Sequence, residues 1–146
     1  MEKDTILLSL VYEDSDKLYI EKVEAIKDNN GYKINSVPAF AKNLSFGDLV
    51  KVSYENGEYF FEELIDESGH STIHIAIFNS REKIIEQLTR FGCGVNTNIA
   101  ENYLVVDVPP VMPYFSIRNF LDEQRLSKTL DYREACVSKI HKINHN

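Results

Sequence analysis

Tryptophan is absent from this 146-residue chain, cysteine occurs only twice, and no lysine or arginine stands between Lys51 and Arg81. Each shortage excludes something. Cys93 and Cys136 lie far apart without CxxC spacing, which excludes a zinc or redox signature and predicts two reduced thiols in a cytoplasmic protein. No apolar run approaches the ~20 residues a membrane helix needs. The charged start, Met1 to Asp4, is not followed by the apolar core of a signal peptide. There is no glycine-rich phosphate loop either, since Gly92-Cys93-Gly94 falls at the end of a predicted helix, the wrong end for an anion.

What fills the gap in cations is carboxylate: Glu55, Glu58, Glu62, Glu63, Asp66 and Glu67. Residues 1–71 hold seven Lys and Arg against fifteen Asp and Glu, giving −8, whereas residues 72–146 hold nine against eight, giving +1. The acidity belongs to the first half. Carboxylates are too costly to bury unpaired, so they turn to water or to a cationic partner. A field of this sign repels nucleic acid phosphates and anionic membrane surfaces, which excludes both as partners and leaves a basic protein as the expected one.

The first half reads as β-structure over Thr5–Tyr12, Lys17–Ala25, Tyr32–Asn35, Asp48–Tyr54 and Glu58–Ile65. Its turns fall at Asp14-Ser15-Asp16, Asp28-Asn29-Asn30-Gly31 and Glu55-Asn56-Gly57, and Asn56-Gly57 is a strong hairpin signal because both residues tolerate positive φ. Strict alternation in the returning strand puts Tyr59, Phe61, Glu63 and Ile65 on one face and Phe60, Glu62, Leu64 and Asp66 on the other, so both faces carry bulk and charge. Five short strands with tight turns predict a small curved sheet or partial barrel over 1–69.

After Gly69 the period changes. Ile73, Ile75 and Ile77 alternate in a strand Thr72–Phe78, and Asn79 with Glu82 forms a capping pair for a helix that buries Ile84, Ile85, Leu88 and Phe91 and stops at Gly92. Strands Val95–Ile99 and Tyr103–Val108 follow, then a helix from Pro113 burying Ile117, Phe120 and Leu121, then a strand Leu130–Val137. That βαββαβ order predicts a ferredoxin-like α+β lobe over 70–146, packed with the first lobe as one compact unit. Its first strand offers Thr72, His74 and Ala76 opposite the isoleucines, without the stacked aromatics and basic flanks of an RNA-binding sheet.

Four strings mark the chain: Val37-Pro38-Ala39-Phe40-Ala41, Leu44-Ser45-Phe46-Gly47-Asp48-Leu49-Val50, Ser68-Gly69-His70-Ser71-Thr72-Ile73 and Tyr103-Leu104-Val105-Val106-Asp107-Val108-Pro109. In these the chain resembles, over nearly its whole length, an uncharacterised bacterial family known as domain of unknown function 4265. The Ser-Gly-His-Ser-Thr string is the most specific. At His74 the chain departs from the arginine that the resemblance leads one to expect. The resemblance implies this fold and brings no activity with it.

Two functional readings follow. In the first, the protein is a non-enzymatic inhibitor, such as an immunity protein neutralising a cognate basic toxin, and Tyr54, Glu55, Glu58, Tyr59, Glu62, Glu63 and Asp66 form the contact surface. In the second, it is a small-molecule-binding or enzymatic domain with a pocket between the lobes lined by Ser68, His70, Ser71, His74 and Tyr103. Asp66, His70 and Ser71 do not make a nucleophilic relay, because neighbours along a strand point to opposite sides. The hydroxyls are read instead as caps of a turn joining the lobes, with His70 bonded to backbone. No metal or cofactor is expected: His70 and His74 would stand ~13 Å apart on a strand, and His141 and His145 fall in a tail, Lys139 to Asn146, read as frayed.

Overall fold

A computed structural model describes residues 4–143, so the charged start at Met1 to Lys3 and the tail residue His145 lie outside the described residues. Five strands, β1 (Thr5–Asp14), β2 (Lys17–Asp28), β3 (Gly31–Ile34), β4 (Leu49–Glu55) and β5 (Glu58–Asp66), are joined by short turns and a longer segment over 35–48. Ser15, Asp16, Asn29, Asn56 and Gly57 take the positive φ that the turns demand. The expected partial barrel is in fact closed, because β1 also pairs in parallel with β5 at Leu8↔Tyr59 and Ser9↔Phe60. Period-2 alternation then sends Leu8 and Leu10 of β1, Val23 and Ala25 of β2, Ile34 and Val50 into one apolar core with Ala41 and Leu44.

Strict alternation fails in β5. Val52 opposes Phe61, Lys51 opposes Glu63, Val50 opposes Leu64 and Leu49 opposes Asp66, so Glu62 and Ile65 are extra residues at two bulges. Directly opposed residues share a face. The bulges therefore set Phe61 and Leu64 on the side of Val50 and Val52, and Glu63 and Asp66 on the other.

The second sheet contains β6 (Ser71–Ile77), β7 (Gly94–Ala100), β8 (Tyr103–Val108) and β9 (Leu130–Cys136) in the order β7-β8-β6-β9, every pair antiparallel. Helices α1 (Arg81–Arg90) and α2 (Tyr114–Leu126) connect them, and Ile84, Leu88, Ile117 and Leu121 join Ile73, Ile75, Ile77, Leu104 and Val106 in a second core. Each fully buried Leu or Ile contributes roughly 1.5–3 kcal/mol. The molecule is mixed α+β, mostly strands, and no helix among the described residues is long and apolar enough to cross a membrane.

Three local expectations need correction. The cap of α1 is Ser80, not Asn79, and its left-handed backbone (φ 61°) turns the hydroxyl onto Asn79 Oδ1 at 3.0 Å instead of onto a helix amide. Pro113 caps α2 from outside, and Tyr114 joins Ile117 and Leu121 on its buried face, with Phe120 partly buried against the same core. Finally, the tail does not fray over its described part: it forms α3 (Lys139–Ile143), with His141 buried.

Candidate functional site

The β4–β5 hairpin presents the predicted acidic residues, but not as a uniform field. Glu58 Oε1 lies 3.0 Å from Lys22 Nζ and Glu62 Oε1 lies 3.8 Å from Lys51 Nζ. Among the described residues Glu55, Glu63 and Asp66 have no such cation. Tyr54 and Tyr59 pack with ring centroids 4.8 Å apart, Tyr59 against the barrel core and Tyr54 at 64% exposure. Because β1 reaches only Tyr59 and Phe60, the edge of β5 from Phe61 to Asp66 has no strand beside it among the described residues. Phe61, Leu64 and Ile65 are correspondingly 36%, 44% and 41% exposed. Sequence reading found the carboxylates and missed this apolar edge, whose only signal was bulk on both faces.

The Ser68–Thr72 string is built as two separate hydrogen-bonded pairs. Gly69, at φ 98°, lets the chain leave the barrel close against Pro110, where a Cβ would stand 3.0 Å from the ring. His70 Nδ1 then meets Asp107 Oδ1 at 2.8 Å, so its partner is this side chain and not the backbone as expected. Burial pushes the Asp107 carboxyl up, and the His70 contact opposes that shift. Ser71 points the other way. Its Oγ, fully buried, lies 2.5 Å from His141 Nδ1 and accepts the Ser138 N–H at 2.9 Å, while His141 Nε2 reaches the Pro109 carbonyl at 3.0 Å. Burial pushes the His141 imidazole down, which keeps it neutral and lets Nδ1 accept the hydroxyl proton. Ser68 Oγ donates to the Phe46 carbonyl at 2.6 Å, and Asp48 receives the Ser45 and Ser68 amides at 2.8 Å each. This segment fastens the barrel, the sheet and α3 together.

His74 and Tyr103 face a different place. The segment over 37–41 crosses the face of the second sheet opposite the helices, held on its barrel side by Glu21, whose carboxylate accepts the amides of Ala39, Phe40 and Ala41 at 2.6, 3.0 and 3.0 Å. On its sheet side His74 Nε2 meets the Pro38 carbonyl at 3.0 Å and Tyr103 donates to the Ala39 carbonyl at 2.6 Å. Arg133, from β9, donates Nε to His74 Nδ1 at 3.0 Å and Nη2 to the Phe40 carbonyl at 2.9 Å. Both ring nitrogens of His74 are thereby used, and burial pushes its pKa down, so the imidazole is neutral. Burial likewise lifts the Tyr103 phenol to about 12. Beside this lattice opens a cavity of about 400 Å³ walled by Tyr12, Phe40, His74, Tyr103, Tyr132 and Arg133. The predicted pocket residues are thus divided. His74 and Tyr103 share this cavity, Ser68 and His70 border a separate cavity of about 560 Å³ with Asp66 and Glu67, and Ser71 is sealed in the interior.

No group of three or more His, Cys, Asp or Glu arranged to hold a metal occurs among the described residues. Cys93 and Cys136 are free thiols, both raised in pKa by burial, Cys93 to about 12.

A closed five-stranded barrel carrying a four-stranded sheet with helices on its far face defines the class. Residues 21–132 match the model of a domain of unknown function, DUF4265, and the chain belongs to that family. It is also similar to a hypothetical protein from Neisseria gonorrhoeae solved by crystallography, with 27% identity and a TM-score of 0.84 over 94% of this chain and 99% of that one. No curated protein matches the chain.

Proposed function

We propose that this protein is a non-enzymatic, cytoplasmic protein-binding inhibitor, of the kind that an immunity protein represents, and that it neutralises a basic toxin such as a nuclease. The contact surface in this reading is Tyr54, Glu55, Glu58, Tyr59, Glu62, Glu63 and Asp66. The observation that carries it is the unpaired edge of β5, where Phe61, Leu64 and Ile65 stand exposed among carboxylates. An acidic strand kept only for solubility needs no large apolar side chains at its edge, and open edges of this kind are sites of strand addition. Charge supplies selectivity: Glu55, Glu63 and Asp66, having no cation of their own among the described residues, attract the basic surface that a nuclease keeps for its substrate. The second sheet we infer to be ferredoxin-like, a reading supported by its βαββαβ order and by helices gathered on one face. Against a nucleophilic role, Ser71 beside His141 has no access to solvent.

The test is capture from lysate of the source organism with the wild-type chain and with Glu62→Lys/Glu63→Lys. A single basic protein retained by the wild type and lost by the variant is the expected result. Equal capture by both chains, or capture of nothing by either, would sink the proposal.

A further inference from the structure

The cavity between the barrel and the second sheet has walls and charge that the protein-binding reading does not use. Three rings of its wall are stacked: Tyr12 on Phe40 and Phe40 on Tyr103, each pair with centroids 5.7 Å apart and planes within 18° and 6° of parallel. Tyr19 extends the row beyond Tyr12 at 5.5 Å. These rings are fixed in advance, Phe40 by the Glu21 carboxylate on its amide and Tyr103 by its bond to the Ala39 carbonyl, so a ligand would order little on arrival. The volume of about 400 Å³ falls within the roughly 300–1,000 Å³ of ligand sites.

Charge decides the ligand. Glu13 and Asp14 from the β1–β2 hairpin and Asp131 from β9 line the opening. Among the described residues Glu13 and Asp14 have no lysine or arginine within ion-pair distance, and Asp131 has only Arg125 at 3.6 Å. Among the described residues the one cation in the lining is Arg133, which gives Nε to His74 and Nη2 to a carbonyl. His74 adds no positive charge, because both its nitrogens are bonded and it is held neutral. Tyr12 registers the same sign of field: its phenol is pushed up by burial and then by Glu21 and Asp14. The lining thus sets three carboxylates against one guanidinium, so the balance of charge, with the faces of the aromatic rings, favours a cation over an anion.

We propose that this cavity binds a guanidinium or alkylammonium group carried on an apolar stem, the stem lying along Tyr12, Phe40 and Tyr103 and the charge reaching Asp14 and Asp131. The site is remote in the chain from the β5 edge and is independent of what that edge binds. Its ligand is either a free amine or an arginine or lysine side chain of another protein, which present the same chemistry.

Calorimetric titration of the full chain with N-acetyl-argininamide, its neutral isostere N-acetyl-citrullinamide, and agmatine tests this directly. Saturable binding of a cation is expected, weakened roughly tenfold or more in the citrulline compound. A Glu13→Gln/Asp14→Asn variant, altered only at exposed positions, should lose about threefold or more of the affinity. Tighter binding of agmatine marks a free amine as the ligand, and tighter binding of the argininamide marks a protein side chain; either result supports the site. No saturation by either cation up to about 10 mM, equal binding of citrulline, or an unchanged affinity in the double variant would overturn it. Failure of this titration leaves capture at the β5 edge unaffected, so the two proposals fail separately.

Discussion

His74 and His141 are held neutral in the folded chain by burial, with both nitrogens of each ring bonded. Below their ordinary pKa of about 6.5 the unfolded chain takes up protons that the folded chain refuses, so stability falls as pH drops through that value. Asp48 and Asp107 act with the opposite sign. Burial raises their folded pKa, so they bind protons earlier when folded and partly offset the loss as pH falls toward the ordinary carboxylate range. Urea denaturation followed from pH 7.5 to 4.5 should therefore show stability flat at the upper end and declining below about 6.5. A His74→Gln/His141→Gln variant, less stable throughout, should show a flatter decline. None of these pairings was legible in the sequence. Ser71 and His141 are separated by 70 residues, and His70 finds Asp107 across a strand pair rather than the backbone.

At the scale of the element, period-2 patterning and turn chemistry placed the nine strands of the described residues to within a few residues, because Asn56-Gly57, Asp14-Ser15-Asp16 and Asn29 each carry a backbone geometry that few residues accept. Gly57 has open space around its α-carbon, so a methyl group there meets nothing, yet its φ of 84° strains any other residue. Gly57→Ala should cost about 1–2 kcal/mol in chemical denaturation, through left-handed backbone strain alone. The bulges at Glu62 and Ile65 escaped prediction for a different reason. Alternation describes a strand by itself, whereas a bulge exists only relative to the partner strand, here β4. The short helix α3 escaped too, since five residues are too few to show a period and its place depends on His141 docking under Ser71.

The whole molecule is tied together by the segment over 35–48, which belongs to the barrel in sequence and to both lobes in space. Asn43 N–H reaches the Ala135 carbonyl at 2.8 Å, Ser45 Oγ meets Thr72 Oγ1 at 2.9 Å, and Phe40 lies between Tyr12 of the barrel and Tyr103 of the sheet. The strings that carried the family resemblance lie along this seam. Their residues were visible in the sequence, but the cavity they border was not, because it needs Arg133 and Tyr132 from the far end of the chain. The acidic hairpin was legible as composition, but its open apolar edge was not, because it depends on the β1–β5 pairing ending at Ser9↔Phe60.

The central claim, that a basic partner docks on that edge, is tested most directly by hydrogen exchange of the wild-type chain with and without the partner it captures. Binding along β5 predicts that amides over Phe61–Asp66, which among the described residues have no neighbouring strand on one side in the free protein, exchange roughly tenfold or more slowly in the complex. Unchanged exchange over β5, with protection on another surface, would contradict the account.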